Sequence, residues 1–273
     1  MTETRRLYYE DVYKKEFTAT VVECRERKKG YEVILDESAF YPEGGGQPSD
    51  VGILGDAKVT EVHEKDGELL HYTDKALEVG AKVEGKIDWA HRFDLMQQHS
   101  GEHMVSGIIH TKYGYDNVGF HMGSDVITVD LNGMLDEAQL AEIEQEVNER
   151  VWEDKEVQIT YPTAEELKTL DYRSKKELTG QVRIVTFPGV DVCACCGTHV
   201  THTGEIGMVK LLSVVKFRDG IRMEMICGKR VLDYLNMVNE QNHQISVKLS
   251  AKMEKTADAV QRLQDENFRL KGQ

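Results

Sequence analysis

The chain has 273 residues, 40% hydrophobic and 30% charged, a composition typical of a globular protein with room for two modest domains. No apolar run reaches the roughly 18 residues of a membrane span, and the N-terminus lacks the apolar stretch of a secretory signal. The net charge of -14 argues against extensive nucleic-acid contact, which depends on Lys and Arg, although basic residues cluster locally at 25–29, 173–176 and 210–222.

Residues 1–88 are predicted to form a small β-barrel. Short segments rich in β-branched residues lie at 17–26, 29–38, 56–73 and 82–88, and glycine and aspartate punctuate them. Several such strands in so short a stretch indicate a barrel rather than an open sheet.

A glycine-rich segment, FYPEGGGQPSD at 40–50, lies in the middle of these strands. Three consecutive glycines between two prolines exclude regular structure. The Gly-Lys-Ser/Thr ending of a phosphate-binding loop is absent. Composition favours a structural turn, and the alternative is a loop whose backbone approaches a ligand closely.

Residues 89–230 are predicted to form a second domain of the α+β class. One helix begins at an Asp88 cap and runs to about residue 114, and a strand-like alternation follows at 118–131. Residues 136–152 have the periodicity of an amphipathic helix, Thr163 and Glu166 form a capping box for a short helix, and 181–187 and 207–217 are typical of strands.

The last segment, 231–273, is predicted to be helical. It contains no proline, and its only glycine is Gly272. Residues at alternating spacings of four and three form a short coiled-coil-like seam: Leu249, Met253, Thr256, Val260, Leu263, Asn267 and Leu270. Pairing within one chain and pairing between two chains, as a homodimer, both remain open, as does continuation of the natural protein beyond Gln273.

Two pairs of residues at helical spacing predict a metal site. His99 and His103 lie four apart in HSGEH, which places both imidazoles on one face of the predicted helix. Cys195 and His199 repeat that spacing in CCGTH. Three imidazoles and one thiolate suit Zn²⁺. The five cysteines support this reading, because an odd number with three crowded into 193–196 is unlike a disulfide scaffold.

Three interpretations of this site compete on the residues alone. Four protein ligands are typical of structural zinc. HSGEH also fits the inverted zincin pattern HxxEH of proteases, with Glu102 as general base, although Cys and His in the second pair argue against it. The third interpretation is a hydrolase of another ester or amide.

Several motifs together resemble one family. HSGEH, followed by CCGTHV, resembles the HxxxH and CxxxH pair of the editing domain of alanyl-tRNA synthetases. IDWAHRFDLMQQHSGEH, GTHVTHTGEIG with IRMEMICGKRVLDYL, and FYPEGGGQPSD are similar to that family's first helix, closing elements and glycine-rich motif, so the resemblance covers roughly residues 8–235. Because no aminoacylation domain precedes the module, the sequence is identified with the free-standing AlaX editing proteins, of the long type.

The resemblance implies a site, residue by residue. His99, His103, Cys195 and His199 become zinc ligands, while Cys193 and Cys196 are neighbours of the site. The glycine-rich motif lies near the editing pocket, and one further position matches a synthetase glutamine; the implied substrate-binding residues are Gly44, Gly45, Gly46, Gln47 and His121. Glu102 is then either solvated or a support behind the ligands.

The resemblance also implies a reaction. The family hydrolyses the ester of mischarged alanine tRNA, so we expect a zinc-dependent, ATP-independent trans-editing hydrolase in the cytoplasm that cleaves Ser-tRNA(Ala) and, as a further substrate, Gly-tRNA(Ala). Its partner is tRNA, and no membrane is involved. The alternatives are an RNA-binding module with structural zinc, whose Cys195→Ala variant unfolds and whose native form hydrolyses nothing, and a protease that depends on Glu102.

Overall fold

The computed structural model describes residues 4–174 and 180–272. The chain divides after Gly228 into two compact units. Helices and strands are mixed in the first unit and the second is helical, so the predicted α+β class, with a barrel first and a helical segment last, is confirmed. Of the basic residues noted in the sequence, Lys175 and Lys176 lie outside the described residues.

The first unit begins with a closed six-stranded antiparallel barrel. Its strands alternate between buried and exposed side chains, so that Phe17, Ala19 and Val21 of one strand all point into the barrel core. In chain order the strands are β2 (Glu16–Glu26), β3 (Tyr31–Leu35), β5 (Gly52–Leu54), β6 (Ala57–Lys65), β7 (Glu68–Thr73) and β8 (Lys82–Ile87). Around the barrel their order is β2-β3-β7-β6-β5-β8.

A short N-terminal segment flanks the barrel beside the glycine-rich segment. Strand β1 (Arg5–Arg6) pairs in parallel with β4 (Glu37–Ser38), and the single-turn helix α1 (Leu7–Glu10) follows it. The ring of Tyr8 on α1 packs edge-on against that of Tyr41, with centroids 5.4 Å apart. The N-terminus is thereby held next to the glycines.

Helix α2 (Trp89–Tyr113) is the central element of the remainder of this unit. It begins where Asp88 accepts a hydrogen bond from the His91 backbone at 3.2 Å, as the sequence predicts, and ends at Gly114 with φ +68°. Glycine allows close packing in its middle, because a Cβ on Gly101 would lie 2.2 Å from the sulfur of Cys227. The helix is therefore fixed tightly against strand neighbours along the stretch that carries the two histidines.

The described remainder of the unit contains two antiparallel sheets, two further α-helices and a 3₁₀ helix at Thr203–Ile206. The sheets have the orders β14-β15-β10-β9 and β11-β12-β13. The predicted strand over 118–131 is two strands, because a turn in which Gly123 donates to the Val126 carbonyl reverses the chain. The elements are β9 (Asn117–Met122), β10 (Ile127–Leu131), α3 (Glu137–Trp152), β11 (Gln158–Thr160), α4 (Ala164–Leu167), β12 (Ile184–Phe187), β13 (Asp191–Ala194), β14 (Val209–Phe217) and β15 (Gly220–Cys227).

A buried arginine joins the barrel to α2. The Arg92 side chain, fully buried, forms an ion pair with Asp50 at the end of the glycine-rich segment. Its remaining donors reach the carbonyls of Val12 at 2.9 Å and Ala39 at 2.7 Å. The three partners lie at separate places in the chain before α2. This one side chain therefore fixes the glycine-rich segment relative to the helix.

The second unit consists of two helices, α5 (Lys229–Leu249) and α6 (Thr256–Lys271). The predicted seam begins at Leu249, but the helix is broken there, because Ser250 has φ +49° and Ser246 donates a hydrogen bond to the Ala251 carbonyl. Thr256 donates to Asn242 across the break at 2.7 Å. In the described parts of the chain, no helix is long and apolar enough to cross a membrane.

Candidate metal centre

The two pairs of residues predicted from spacing meet at one point. His99 and His103 project from α2, and Cys195 and His199 come from the loop that follows β13. The four candidate ligand atoms all lie within 4.8 Å of one another. The Cys195 sulfur lies 3.5 Å from Nε2 of His99 and 3.3 Å from Nε2 of His199. The histidines are buried, and the cysteine is partly exposed.

Each histidine is held through its other ring nitrogen. Nδ1 of His99 donates to Oε1 of Gln47 at 2.8 Å, and Nδ1 of His103 donates to the carboxylate of Asp191 at 2.9 Å. Nδ1 of His199 lies 3.1 Å from the hydroxyl of Ser100. A proton on Nδ1 leaves the Nε2 lone pair free, which is the arrangement that metal-ligating histidines adopt. The residues therefore fit a metal, and the fit rests on three independent hydrogen bonds.

His103, of the first ligand pair, is supported through Asp191 by an arginine that the sequence placed only in a basic cluster. Arg173 donates two hydrogen bonds to Asp191, at 2.7 and 2.8 Å. Burial alone would raise the pKa of the Asp191 carboxyl, but the hydrogen bonds from His103 and Arg173 hold that pKa below its usual value. Asp191 is therefore an anion that orients His103.

Electrostatics favour an ionised sulfur in the cluster. Burial opposes ionisation of the Cys195 thiol, but the charges of the surrounding imidazoles outweigh it and hold the pKa of the thiol well below its ordinary value. Burial lowers the pKa of His199 to about 3, so that imidazole is neutral at physiological pH. Burial would lower the pKa of His103, but the Cys195 charge and the hydrogen bond to Asp191 hold that pKa well above its ordinary value. The thiolate is thus paired with a protonated imidazole whose Nε2 proton a divalent metal would replace.

The glycine-rich segment forms a tight turn whose last residue reaches the cluster. Gly44 and Gln47 exchange two backbone hydrogen bonds of 3.0 Å, and the residues between them, Gly45 and Gly46, have φ of +62° and +87°. Positive φ at both central positions is typical of a type I′ turn. The turn that composition favours is thus present, and its function is to deliver the buried Gln47 to His99.

An aromatic ring covers the turn and one histidine together. The Phe120 ring of β9 stacks on that of His99, with centroids 5.5 Å apart. A Cβ on Gly46 would lie 2.6 Å from the same ring. The next residue, His121, is exposed on the outer face of the sheet, because successive side chains of a strand point to opposite faces. The structure therefore does not bring His121 to the cluster, and its predicted role stays a prediction.

Glu102 is buried, so of its two expected roles the structure excludes a solvated residue and leaves a support behind the candidate ligands. Its carboxylate accepts hydrogen bonds from Ser106 and from Asn117. Glu102 and Ser106 both belong to α2, so the bond from Asn117 links this helix to β9. The cluster that the structure describes is built from the three histidines and the cysteine without this carboxylate.

The remaining cysteines of the motif are neighbours of the cluster. Cys193 is buried, and its sulfur lies within 4.8 Å of ligand atoms of His103 and Asp191. Cys196 is exposed. Asp191 and Ser100 were within reach of sequence reasoning, since they flank the ligands in DVCACCGTH and HSGEH, but neither spacing predicts a hydrogen bond across 88 and 99 residues.

Two known families match parts of the chain. Residues 182–224 match the family described as the threonyl and alanyl tRNA synthetase second additional domain, a range that includes Cys195 and His199. Residues 2–91 match the family of class II (A) tRNA synthetases, a range that includes the barrel.

Curated relatives cover most of the chain. It is 30% identical to the alanyl-tRNA editing protein Aarsd1 of Danio rerio over 95% of this chain and 67% of that protein. It is 30% identical to Aarsd1 of Mus musculus over 93% of this chain and 66% of that protein, and 35% identical to the editing protein AlaX-L of Pyrococcus horikoshii over 85% and 60%. The chain thus spans 60 to 67% of the length of these relatives.

Proposed function

Because this chain belongs to the family of alanyl-tRNA editing proteins, we propose that it is a hydrolase that removes a wrongly attached amino acid from alanine tRNA. The proposed substrates are Ser-tRNA(Ala) and, secondarily, Gly-tRNA(Ala), and the proposed setting is the cytoplasm. The observation that carries the proposal is the cluster of three histidines and one cysteine, each histidine fixed by a separate hydrogen bond.

We propose Zn²⁺ as the metal and His99, His103, Cys195 and His199 as its ligands. Three nitrogens and one sulfur form a donor set that zinc prefers over the harder divalent ions. When bound, zinc would supply Lewis-acid polarisation of the ester carbonyl. The chain's own contribution is to keep the Nδ1 protons in place through Gln47, Asp191 and Ser100, and to shield the cluster under aromatic rings.

The proposed contact with tRNA is confined to its charged end. A net charge of -14 disfavours a long phosphate track, whereas an enzyme that grips the terminal aminoacyl ester needs few such contacts. The exposed edge of the glycine turn at Gly45 and Gly46 lies beside the cluster and offers backbone groups for that end. On the strength of the sequence resemblance, we propose Gly44, Gln47 and His121 as the other substrate-binding residues.

Discrimination has a physical basis in this proposal. A synthetase pocket for alanine excludes serine poorly, because one added hydroxyl changes the fit little. A second site that hydrogen-bonds the hydroxyl can select serine for hydrolysis. Ser-tRNA(Ala) should therefore be cleaved while Ala-tRNA(Ala) is largely spared.

The test compares the two charged tRNAs directly. The purified chain is incubated with Ser-tRNA(Ala) and Ala-tRNA(Ala), and loss of the ester is followed beside two variants of α2. His103→Ala removes a ligand, whereas His110→Ala removes an exposed histidine of the same helix that pairs with Asp116. We expect rapid loss of serine only, abolished by the first variant and kept by the second. Equal turnover of both tRNAs would refute discrimination, and no turnover by a zinc-loaded protein would refute editing.

A second candidate function follows from the number of ligands. Four protein ligands fill a tetrahedral zinc site, as in structural sites, so an RNA-binding module with structural zinc is the competing function. The Cys195→Ala variant separates the two. It should remain folded and lose hydrolysis in the editing hydrolase, whereas it should unfold in the binding module, whose native form hydrolyses nothing.

The arrangement into three segments, 1–88, 89–230 and 231–273, and a homodimer formed through the last of them remain part of the proposal. The second unit exposes large apolar side chains, among them Leu263 and Phe268, the latter 83% exposed. If two chains paired through this unit, each would cover the exposed apolar side chains of the other, which would favour a homodimer. Light scattering of the purified chain across a concentration series tests the dimer, and a constant monomer mass would refute it.

A further inference from the structure

A pair of side chains outside the ligand set holds the loop that carries Cys195. One Nη1 atom of Arg183 donates to two carbonyls of this loop, that of Cys195 at 2.8 Å and that of Gly197 at 3.0 Å. The hydroxyl of Tyr9 donates to the carbonyl between them, that of Cys196, at 3.0 Å. Three consecutive carbonyls are thus held by two side chains, one from α1 and the other from the residue that precedes β12.

The two side chains also contact one another. The guanidinium carbon of Arg183 lies 5.2 Å from the centroid of the Tyr9 ring, within the range of a cation–π contact. The Arg183 backbone carbonyl accepts from the Cys195 backbone at 3.1 Å. Among the residues that the structure describes, Nε of Arg183 is buried without a hydrogen-bond partner. The two hydrogen bonds from Nη1 offset part of the cost of burying this arginine.

The held carbonyls determine where the N–H groups of the loop point. In a planar trans peptide the C=O and the N–H point in opposite directions. Tyr9 holds the Cys196 carbonyl, and the N–H of the same peptide, that of Gly197, points to the Cys195 sulfur at 3.4 Å. A hydrogen bond to the sulfur stabilises it as an anionic ligand.

The next peptide works in the same way on the other ligand pair. Arg183 holds the Gly197 carbonyl, and the N–H of that peptide, that of Thr198, points to Oε1 of Gln47 at 3.1 Å. That oxygen is also the acceptor for Nδ1 of His99. The orientation of one loop therefore reaches both the sulfur ligand and a histidine ligand.

We propose that Tyr9 and Arg183 are positioning residues of the metal centre, which orient the peptides of residues 195–198 so that their N–H groups support the Cys195 thiolate and the Gln47–His99 pair. The inference rests on the proposed metal site and goes beyond it. It predicts that loss of either side chain loosens the metal without removing a ligand.

The experiment measures the metal itself. Zinc release from the loaded protein is followed with a chromogenic chelator, and the sulfur-to-cobalt charge-transfer band is recorded after cobalt substitution, for wild type, Tyr9→Phe, Arg183→Gln and Arg183→Lys. We expect Arg183→Gln to release zinc about tenfold faster, in line with other residues that support metal ligands, and Tyr9→Phe to have a smaller effect in the same direction. Lysine, which keeps the charge and several donors, should restore part of the loss.

The matched control is Arg222→Gln on the sheet. Arg222 also lies over an aromatic ring, 3.9 Å from that of Phe217, and it donates to the carboxylate of Asp130, which is not a candidate ligand. Its zinc release and cobalt band should equal those of wild type. Unchanged release and an unchanged band in folded Tyr9→Phe and Arg183→Gln would overturn the positioning role while leaving the metal site intact. Failure of wild type to bind cobalt or zinc would instead overturn the metal site, and this inference with it.

Discussion

His71, a histidine in the barrel core, should make the stability of this protein depend on pH. It is fully buried in β7, its Nδ1 donates to the Val33 carbonyl at 3.0 Å, and Nε2 lies 2.7 Å from the hydroxyl of Ser38. That hydroxyl also accepts from the Phe40 backbone at 3.1 Å, so its proton is directed to Nε2. The network therefore suits a neutral imidazole, and a second ring proton would force the Ser38 hydroxyl to turn its own proton away from Nε2.

Burial lowers the pKa of His71 from 6.5 to about 4, although the bond to Val33 opposes the change. The unfolded chain then binds a proton more readily than the folded one. The contribution of His71 to the free energy of unfolding is nearly full above pH 6.5 and is lost as the pH falls toward 4. The pKa shift between the unfolded and folded states corresponds to about 3 kcal/mol of stability in full. About 2 kcal/mol of this contribution should be lost between roughly pH 7.5 and pH 5.

The assay is urea unfolding followed by tryptophan fluorescence at these two pH values, for wild type and His71→Gln. Glutamine keeps one donor and one acceptor but cannot be protonated in this range. Acid release of the metal affects both proteins alike, so the difference between them isolates His71. Wild type should lose about 2 kcal/mol more than the variant on acidification. Equal losses in the two proteins would refute the reasoning.

Three further predictions concern the Arg92–Asp50 ion pair between barrel and α2 and the candidate metal centre. Arg92→Met should destabilise the fold by about 3–5 kcal/mol in urea unfolding, because it leaves the Asp50 carboxylate buried without its partner, and a loss below about 1 kcal/mol would contradict this. Asp191→Asn should weaken zinc affinity about 10- to 100-fold in competition with a chelator, and unchanged affinity would show that the carboxylate does not orient its histidine. Gly46→Ala should destabilise the protein and accelerate zinc release, whereas Gly45→Ala, where a Cβ meets nothing within 4 Å, should cost only the backbone strain of about 1–2 kcal/mol; equal zinc release in the two variants would contradict the close approach of the turn.

One half of the candidate metal cluster could be predicted from the sequence because its geometry is local. His99 and His103 lie one turn apart on any helix, and the Asp88 cap and Gly114 stop predict that helix. The barrel was predictable for a similar reason, since alternation of buried and exposed residues is written along each strand.

The supports of the ligands could not be read in this way, because they are long-range. Gln47 lies 52 residues before His99 and 151 before Thr198, and no spacing rule reaches so far. His121 shows a different limit. A period of two tells which residues share a face of a strand but not which face meets the site, and in β9 that face belongs to Phe120.

The helix break in the second unit was also beyond the pattern. Residues 249–255 contain neither glycine nor proline, and the heptad spacing runs through them without a gap. The chain nevertheless turns at Ser250, where side-chain hydrogen bonds from Ser246 and Thr256 satisfy backbone and amide groups around the turn.

Through the side-chain amide of Gln47, formation of the candidate metal centre depends on the barrel. One oxygen accepts from His99 and from the Thr198 backbone, while the nitrogen donates to the Thr198 hydroxyl. During synthesis the residues that meet here emerge far apart in time, and contacts so distant in sequence require the closure of long loops, which slows folding. The centre is therefore completed only once barrel, helix and loop have all docked, so a chain still leaving the ribosome, or one with a damaged barrel, lacks the full set of supports around its ligands.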